Sequence, residues 1–299
     1  MPTTRPPQGW EHQLGLGVEA MFGAPVGAST WFDARSAIEV DQGLKAIDVA
    51  IGERDTTHYS ETGKKVEGNL TTSVIPGRVT EIAALLQMLD ATHQKSATVQ
   101  EIQSPEFARQ HVGCTADTWK FSCEVGAEGY GLLTAEFGMV GSDSGDQASP
   151  GTPNYSGLLA PFTSGEMQLV IDSGALTFKR RITVSGKHNL QKDRWEDGVR
   201  ADLPVGPREL DVDVDIDFDD DYLRGLEVNR TEFEFTAVWV RGANDFGFYF
   251  PRCIITRGAN PAQAQRNERV RLTPKIKPLR STDGTPAAYV QVDGVQTEL

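Results

Sequence analysis

Cysteine is scarce in this 299-residue chain: only Cys114, Cys123 and Cys253 occur. An odd count with no CxxC pair argues against a disulfide framework and leaves no zinc-ligand spacing. We read the three as reduced thiols in or near a core. Basic residues are also short, with 29 Lys and Arg against 42 Asp and Glu and a formal net charge of −13. Phosphate backbones and anionic bilayers both call for a cationic face, so nucleic-acid binders and membrane binders are disfavoured. No apolar run approaches the ~20 residues of a membrane helix. The opening stretch, Met1 to Trp10, is polar and carries Pro2, Pro6 and Pro7. The apolar core of a secretory signal is missing there, and synthesis in a cytoplasm is expected.

Catalytic signatures are equally sparse. His12, His58, His93, His111 and His188 form no HExxH and no pair with metal-ligand spacing. There is no GxSxG elbow and no GxxxxGK[ST] loop. Gly15-Leu-Gly17 lacks the rest of a dinucleotide fingerprint. Carboxylates abound, yet nothing singles out two as the acid and base of a glycosidase. We expect no catalytic residue, no cofactor and no metal, and so no enzyme.

What the chain does have is β patterning. Residues 1–30 hold Gly9, Gly15, Gly17, Gly23, Pro25 and Gly27 and read as an arm rather than a core element. Residues 31–40 read as a strand. The polar stretch 48–65 reads as a long loop or a projecting hairpin, and long structured loops are usually functional. A strand over 66–75 is stopped by Pro76-Gly77. Ile82, Leu85, Leu86 and Leu89 then form the stripe of an amphipathic helix over about 78–90. Residues 92–117 show no period. Trp119, Phe121, Cys123 and Val125 alternate with Lys120, Ser122 and Glu124, as in a half-buried strand. Another strand covers 132–140, and the Gly/Ser/Pro-rich segment 141–165 is a connector.

The order then recurs. A strand over 175–185 precedes a polar loop over 186–208, a strand over 209–218 and a short helix over 219–227. Strands follow over 231–240 and 246–256. The offset is roughly 144 residues, a weak internal duplication. We expect a mainly β fold of two packed, roughly orthogonal antiparallel sheets, a sandwich or barrel with a flanking α-helix. The expected divisions are an N-terminal arm (1–30), a first half (31–160), a second half (161–256) and a C-terminal strand with an extension (257–299). One sheet system is expected to span both halves.

The sharpest local signal is the run from Asp211 to Asp219, in which Asp211, Asp213, Asp215, Asp217 and Asp219 alternate with four apolar residues. As a strand it puts carboxylates on one face and core on the other. Like charges repel along that face, so it must meet water. Two readings stand open: a solvated outer face that blocks edge aggregation, or the wall of an aqueous channel. Calcium binding fits worse, because position six of an EF-hand loop would be Ile216 and position twelve Tyr222. By the repeat, the partner strand would present Glu67, Asn69 and Thr71. Aromatic residues also gather in strands, and the run from Phe246 to Phe250 presents them on both faces. Core packing or a subunit contact explains this better than a sugar platform.

The segment Leu14-Gly-Leu-Gly-Val-Glu-Ala-Met-Phe-Gly-Ala-Pro-Val26 resembles the opening of tail tube proteins from long-tailed bacteriophages. Gly63-Lys-Lys-Val-Glu-Gly-Asn-Leu70, Leu85-Leu-Gln-Met-Leu89 and the Arg-Glu-Leu-Asp-Val-Asp return from Arg208 are similar to that family's strands and helix. The resemblance implies a structural virion subunit, with a fold like that of type VI secretion and contractile-phage tubes. It implies hexameric rings stacked around a tape measure protein and capped by terminator and baseplate or hub proteins. Assembly would take place in the host cytoplasm. DNA would pass through without specific binding, and a membrane would play no part. On this reading Asp211, Asp213, Asp215, Asp217, Glu67, Asn69 and Thr71 face the lumen. Glu53, Arg54, Asp55, His58, Tyr59 and Glu61 belong to a ring-stacking loop, with the N-terminal arm bridging rings beside it. A carbohydrate- or receptor-binding β-sandwich module of a virion is the competing class.

Overall fold

The computed structural model describes residues 13–32, 34–47, 58–79, 82, 85–86, 89–90, 93–94, 96–104, 107–126, 129–146, 151–152, 160–176, 179–196, 199–217, 222–258, 271–280 and 285–299. Strands make up 62% of the structure and helix 8%, so the fold is mainly β. The strands used below are β1 (Gln13–Val18), β2 (Thr30–Phe32), β3 (Ala34–Ile47), β4 (His58–Ser73), β5 (Ala97–Ser104), β6 (Phe107–Gly126), β7 (Thr134–Gly141) and β8 (Asp143–Asp146). They continue with β9 (Met167–Ile171), β10 (Lys179–Lys187), β11 (Glu209–Asp217), β12 (Phe233–Arg241), β13 (Asn244–Arg257), β14 (Lys275–Pro278), β15 (Tyr289–Val292) and β16 (Val295–Glu298). The helix α1 is Tyr222–Asn229.

All pairings are antiparallel. The main sheet runs β3-β4-β7-β6-β10-β11-β14-β13-β12-β9. The β6–β10 ladder joins the two halves into the single sheet system the sequence implies. The first part of β6 leaves it for a smaller sheet ordered β2-β1-β5-β6-β8. Gly113 sits near this divergence with φ 62, and a Cβ there would lie 2.6 Å from the Ser142 side chain. Only glycine takes that conformation without strain at such an approach.

The main sheet curls until its two limbs meet. Phe121 on β6 lies 5.3 Å from Phe246 and 5.1 Å from Phe248 on β13, ring centre to ring centre, and Trp119 stacks on Phe248 at 5.9 Å. Each ring is buried, and full burial of a Phe contributes about 2–3 kcal/mol. The aromatic alternation of β13 therefore sends Phe246, Phe248 and Phe250 into the core. Tyr249 points to the opposite side, where its ring sits 6.0 Å from that of Tyr289 on β15. A residue from the tail of the same chain thus meets that tyrosine.

The structure departs from the expectation in four places. Residues 13–18, read as arm because of their glycines, form β1 in the core, with Leu14 and Leu16 buried. A Cβ on Gly15 would come within 2.5 Å of Ala28, and one on Gly17 within 2.4 Å of the Gly27 carbonyl. These glycines allow close chain approach rather than flexibility. The segment 92–117, expected to be irregular, holds all of β5 and about half of β6. Its period is hidden because Thr98, Gln100, His111 and Thr115 are buried polar residues. Val79, Ile82, Leu85 and Leu86 are helical and buried, but Leu89 starts a two-residue strand paired with Gln94. The tail beyond 257 is no mere extension: β15 pairs with β13 and β16 with β15.

Candidate functional site

Five adjacent strands of the main sheet, β4, β7, β6, β10 and β11, turn a polar face away from the core. Alternation places Thr71 beside Glu136, Glu136 beside Lys120, Lys120 beside Ser185, and Ser185 beside Asp211. The next row runs Ser73, Thr134, Ser122, Thr183, Asp213 and Lys275. Asn69, Thr71 and Asp211 share a depression of about 560 Å³ on this face. Gly138 lines it on the row between Asn69 and Thr118 and carries no side chain there: a Cβ would sit 2.3 Å from Thr118 Oγ1.

The sequence reading of the face needs two corrections. The strand carrying Glu67, Asn69 and Thr71 does not pair with the aspartate strand; β7, β6 and β10 lie between them. The pattern repeats in order, but the sheet sets the copies side by side, joined through β6 and β10, rather than pairing the equivalent strands. Moreover, although the strand's own outer face is all carboxylate, the sheet's face is mixed. Lys277 reaches Asp211 at 3.1 Å, Lys275 reaches Asp213 at 3.4 Å, and Lys120 reaches Glu136 at 3.5 Å. These pairs are well exposed, so each adds little stability. Their effect is to offset the charge of the stripe. Asp217 leaves the open face altogether: its side chain is 8% exposed and clasped by Arg180 at 2.5 and 3.4 Å. The β10 bulge between Lys179 and Arg181 lies opposite it.

A second feature is the β3–β4 hairpin, the projecting alternative for 48–65. Its ladder continues from Ala34↔Thr72 to Ile47↔His58. The β7 partner stops at Val66. From there outward, β3 and β4 pair only with each other among the described residues. The backbones of His58, Tyr59 and Glu61 belong to this outer ladder, whereas Glu53, Arg54 and Asp55 lie outside the described residues. Lys64 ties the base of the hairpin to β8, with Nζ donating to Asp143 at 2.7 Å and to the Ser144 carbonyl.

Buried ions organise the end of the subunit from which this hairpin springs. Arg200, on the loop 188–208, is 2% exposed in its side chain. It donates to the carbonyls of Val66 (3.2 Å), Gly141 (3.1 Å) and Lys192 (3.2 Å) and to Glu67 (2.7 Å), and the Trp195 ring lies 5.0 Å away. Burial alone would raise the Glu67 pKa, but Lys65 and Arg200 outweigh it and hold the carboxyl below its ordinary value. Glu67 thus works as an anchor at the border of the polar face. The same loop is held by Asp117, which accepts from the Leu190 amide at 3.0 Å and pairs with Lys192 at 2.7 Å. Glu19 is 4% exposed and accepts from Thr98 Oγ1 (2.8 Å), the Gly23 and Gly113 amides (2.9 Å each) and Ser96 Oγ. Sequence reasoning missed Arg200 and Glu19, because a single charge in a polar segment gives no periodic signal.

Among the described residues, no group of three or more His, Cys, Asp or Glu converges to hold a metal ion. Cys114, Cys123 and Cys253 are buried with free thiols, and burial raises all three pKa values. The polar face offers hydroxyls, amides and charges of both signs along a surface.

The family model described as phage tail tube protein matches residues 9–286. The chain belongs to the phage tail tube protein family. No curated protein matches it. Tail tube membership makes it a structural component of a virion tail that self-assembles with its own copies and other tail components.

Proposed function

We propose that this tail tube subunit closes into rings, hexameric by resemblance, which stack into a channel for genome delivery, and that the β4-β7-β6-β10-β11 face lines it. The observation carrying this reading is the face itself: five strands whose outward residues are hydroxyls, amides and charges of both signs, with Lys187 opposite Glu209 and Arg181 opposite Asp215 and Glu124 in the ladders. DNA carries about one charge per 1.7 Å, so an unpaired cationic lining would hold it. Here each lysine along the aspartate stripe is opposed by a carboxylate, and the chain as a whole is at −13. Asp211, Asp213 and Asp215 with Asn69 and Thr71 are the lumen residues on this reading; Glu67 and Asp217 are its anchors.

The outer β3–β4 hairpin serves stacking in the proposal. A two-stranded hairpin alone is marginal in water, so its length calls for a partner. A tape measure protein would occupy the lumen during assembly, with terminator and hub proteins at the tube ends and the host cytoplasm as the site of assembly. Thiol labelling tests the lining, because the native cysteines are buried. Thr183→Cys in assembled tubes is expected to react with a small maleimide and to resist one attached to a bulky polymer. Equal reaction with both would place this face on the outside. Deleting residues 52–62 should leave a folded subunit that builds no tubes, and an unchanged yield of tubes by negative-stain electron microscopy would refute the stacking role.

A further inference from the structure

The loop 188–208 is closed at a neck where its two ends meet. The Gly206 amide donates to the His188 carbonyl at 3.0 Å, and the Gln191 amide to the Pro204 carbonyl at 2.9 Å. Asn189 Nδ2 donates to the Pro207 carbonyl at 2.7 Å. The His188 amide donates to the Asp117 carbonyl at 2.8 Å, which fastens the neck to β6. Leu190 and Leu203 are buried in the neck, and His188 is 2% exposed. The His188 ring has one hydrogen-bond partner. Its Nε2 accepts from the Trp119 indole N–H at 3.0 Å, while Nδ1 makes no hydrogen bond. An accepting Nε2 places the single proton of the neutral ring on Nδ1.

A second proton on this ring meets no acceptor. It would sit on Nε2, so that two N–H donors face each other across the Trp119 contact, and a buried donor without an acceptor is costly. The charged groups around the ring give little relief. Arg208, at the other end of the loop, is partly buried and repels a cation at His188. Its own guanidinium donates to the Leu299 carbonyl and feels Glu298 and Arg280. Asp117 favours the cation, but its oxygens are already held by the Leu190 amide and by Lys192. Lys187 and Glu209, the next charges along the two chain ends, are exposed. An open neck would instead let water solvate the imidazolium. We infer that the neck is an acid-operated latch: protonation of His188 releases the loop 188–208 from the sheet, and with it Arg200 from the Val66 and Gly141 carbonyls and from Glu67. The closed neck lowers the ring's pKa from 6.5 to about 4, so protons favour the open loop as pH falls through that window. Acid then loosens the base of the β3–β4 hairpin before it unfolds the subunit.

Native-state hydrogen exchange on the full chain tests the latch. The Leu190, Gln191 and Gly206 amides report the neck, and the β12–β13 ladder reports unfolding of the whole subunit. Neck protection in the wild type, corrected for the chemical exchange rate, should fall roughly twentyfold between about pH 7 and 5. Its dependence on urea should be shallower than that of the β12–β13 amides, because opening a loop exposes less surface than unfolding the subunit. In His188→Gln, whose side-chain amide takes up no proton and can still accept from Trp119, the fall should vanish. Neck amides with the same protection and the same urea dependence as the β12–β13 ladder would overturn the latch, since the loop would then open only with the whole subunit. So would an undiminished fall in folded His188→Gln, which would assign the proton to another group. Should that variant not fold, the wild-type comparison of neck with ladder decides alone.

Discussion

Arg200 is the residue on which the hairpin end depends most. It fills the end of the β4–β7 ladder and satisfies three carbonyls and Glu67 at once. Removing it leaves those acceptors buried, and Arg200→Ala is expected to cost about 3 kcal/mol in urea denaturation. Lysine cannot reproduce the planar fork, so Arg200→Lys should recover little of the loss. His188 is expected to contribute acid sensitivity. Its Nε2 accepts from Trp119 Nε1 at 3.0 Å. Burial, helped by Arg208, lowers its pKa from 6.5 to about 4. The unfolded chain therefore takes up the proton first as pH falls. The stability tied to neutral His188 is complete above about 6.5 and is lost progressively down to about 4, on the order of 3 kcal/mol in all. His188→Gln should flatten the stability profile across that window, and a profile as steep as the wild type's would remove His188 as the cause.

At the level of the element, close approach governs. Gly186 on β10 lies beneath the Trp119 indole, which in turn stacks on Phe248. A methyl group there meets ring atoms at 2.4 Å, and Trp119 has no free side to move into. Gly186→Ala is expected to destabilise by about 2 kcal/mol in the same denaturation assay, with loss of near-ultraviolet aromatic dichroism. The same substitution at Gly27, where a Cβ meets nothing within 4 Å, should change stability little. The long β3–β4 hairpin shows the opposite principle. Its inner ladder is covered by β7, and its outer ladder has only itself. Protection from hydrogen exchange should accordingly fall from Leu70 outward in the free subunit.

For the whole molecule, assembly should couple to stability. Subunits that bind one another only when folded are stabilised by mass action. The melting temperature is expected to rise with protein concentration.

The sequence by itself determined the mainly β class, the aspartate strand and the family. Each is carried by local alternation or by a contiguous stretch, and alternation is how a half-buried strand appears in a chain. It also showed the recurring order of strand, loop, strand, helix and strand pair, because order needs no contacts to be visible. Tertiary structure decided what those elements meet. It set β6 and β10 between the two strands expected to pair, matched Asp211 and Asp213 with Lys277 and Lys275 from the tail, and turned Asp217 under Arg180. It also drew Gly15 and Gly17 into a core strand and buried Glu19 and Arg200 as anchors. The partners in these contacts lie tens to well over a hundred residues apart in the chain, and only the folded sheet brings them together.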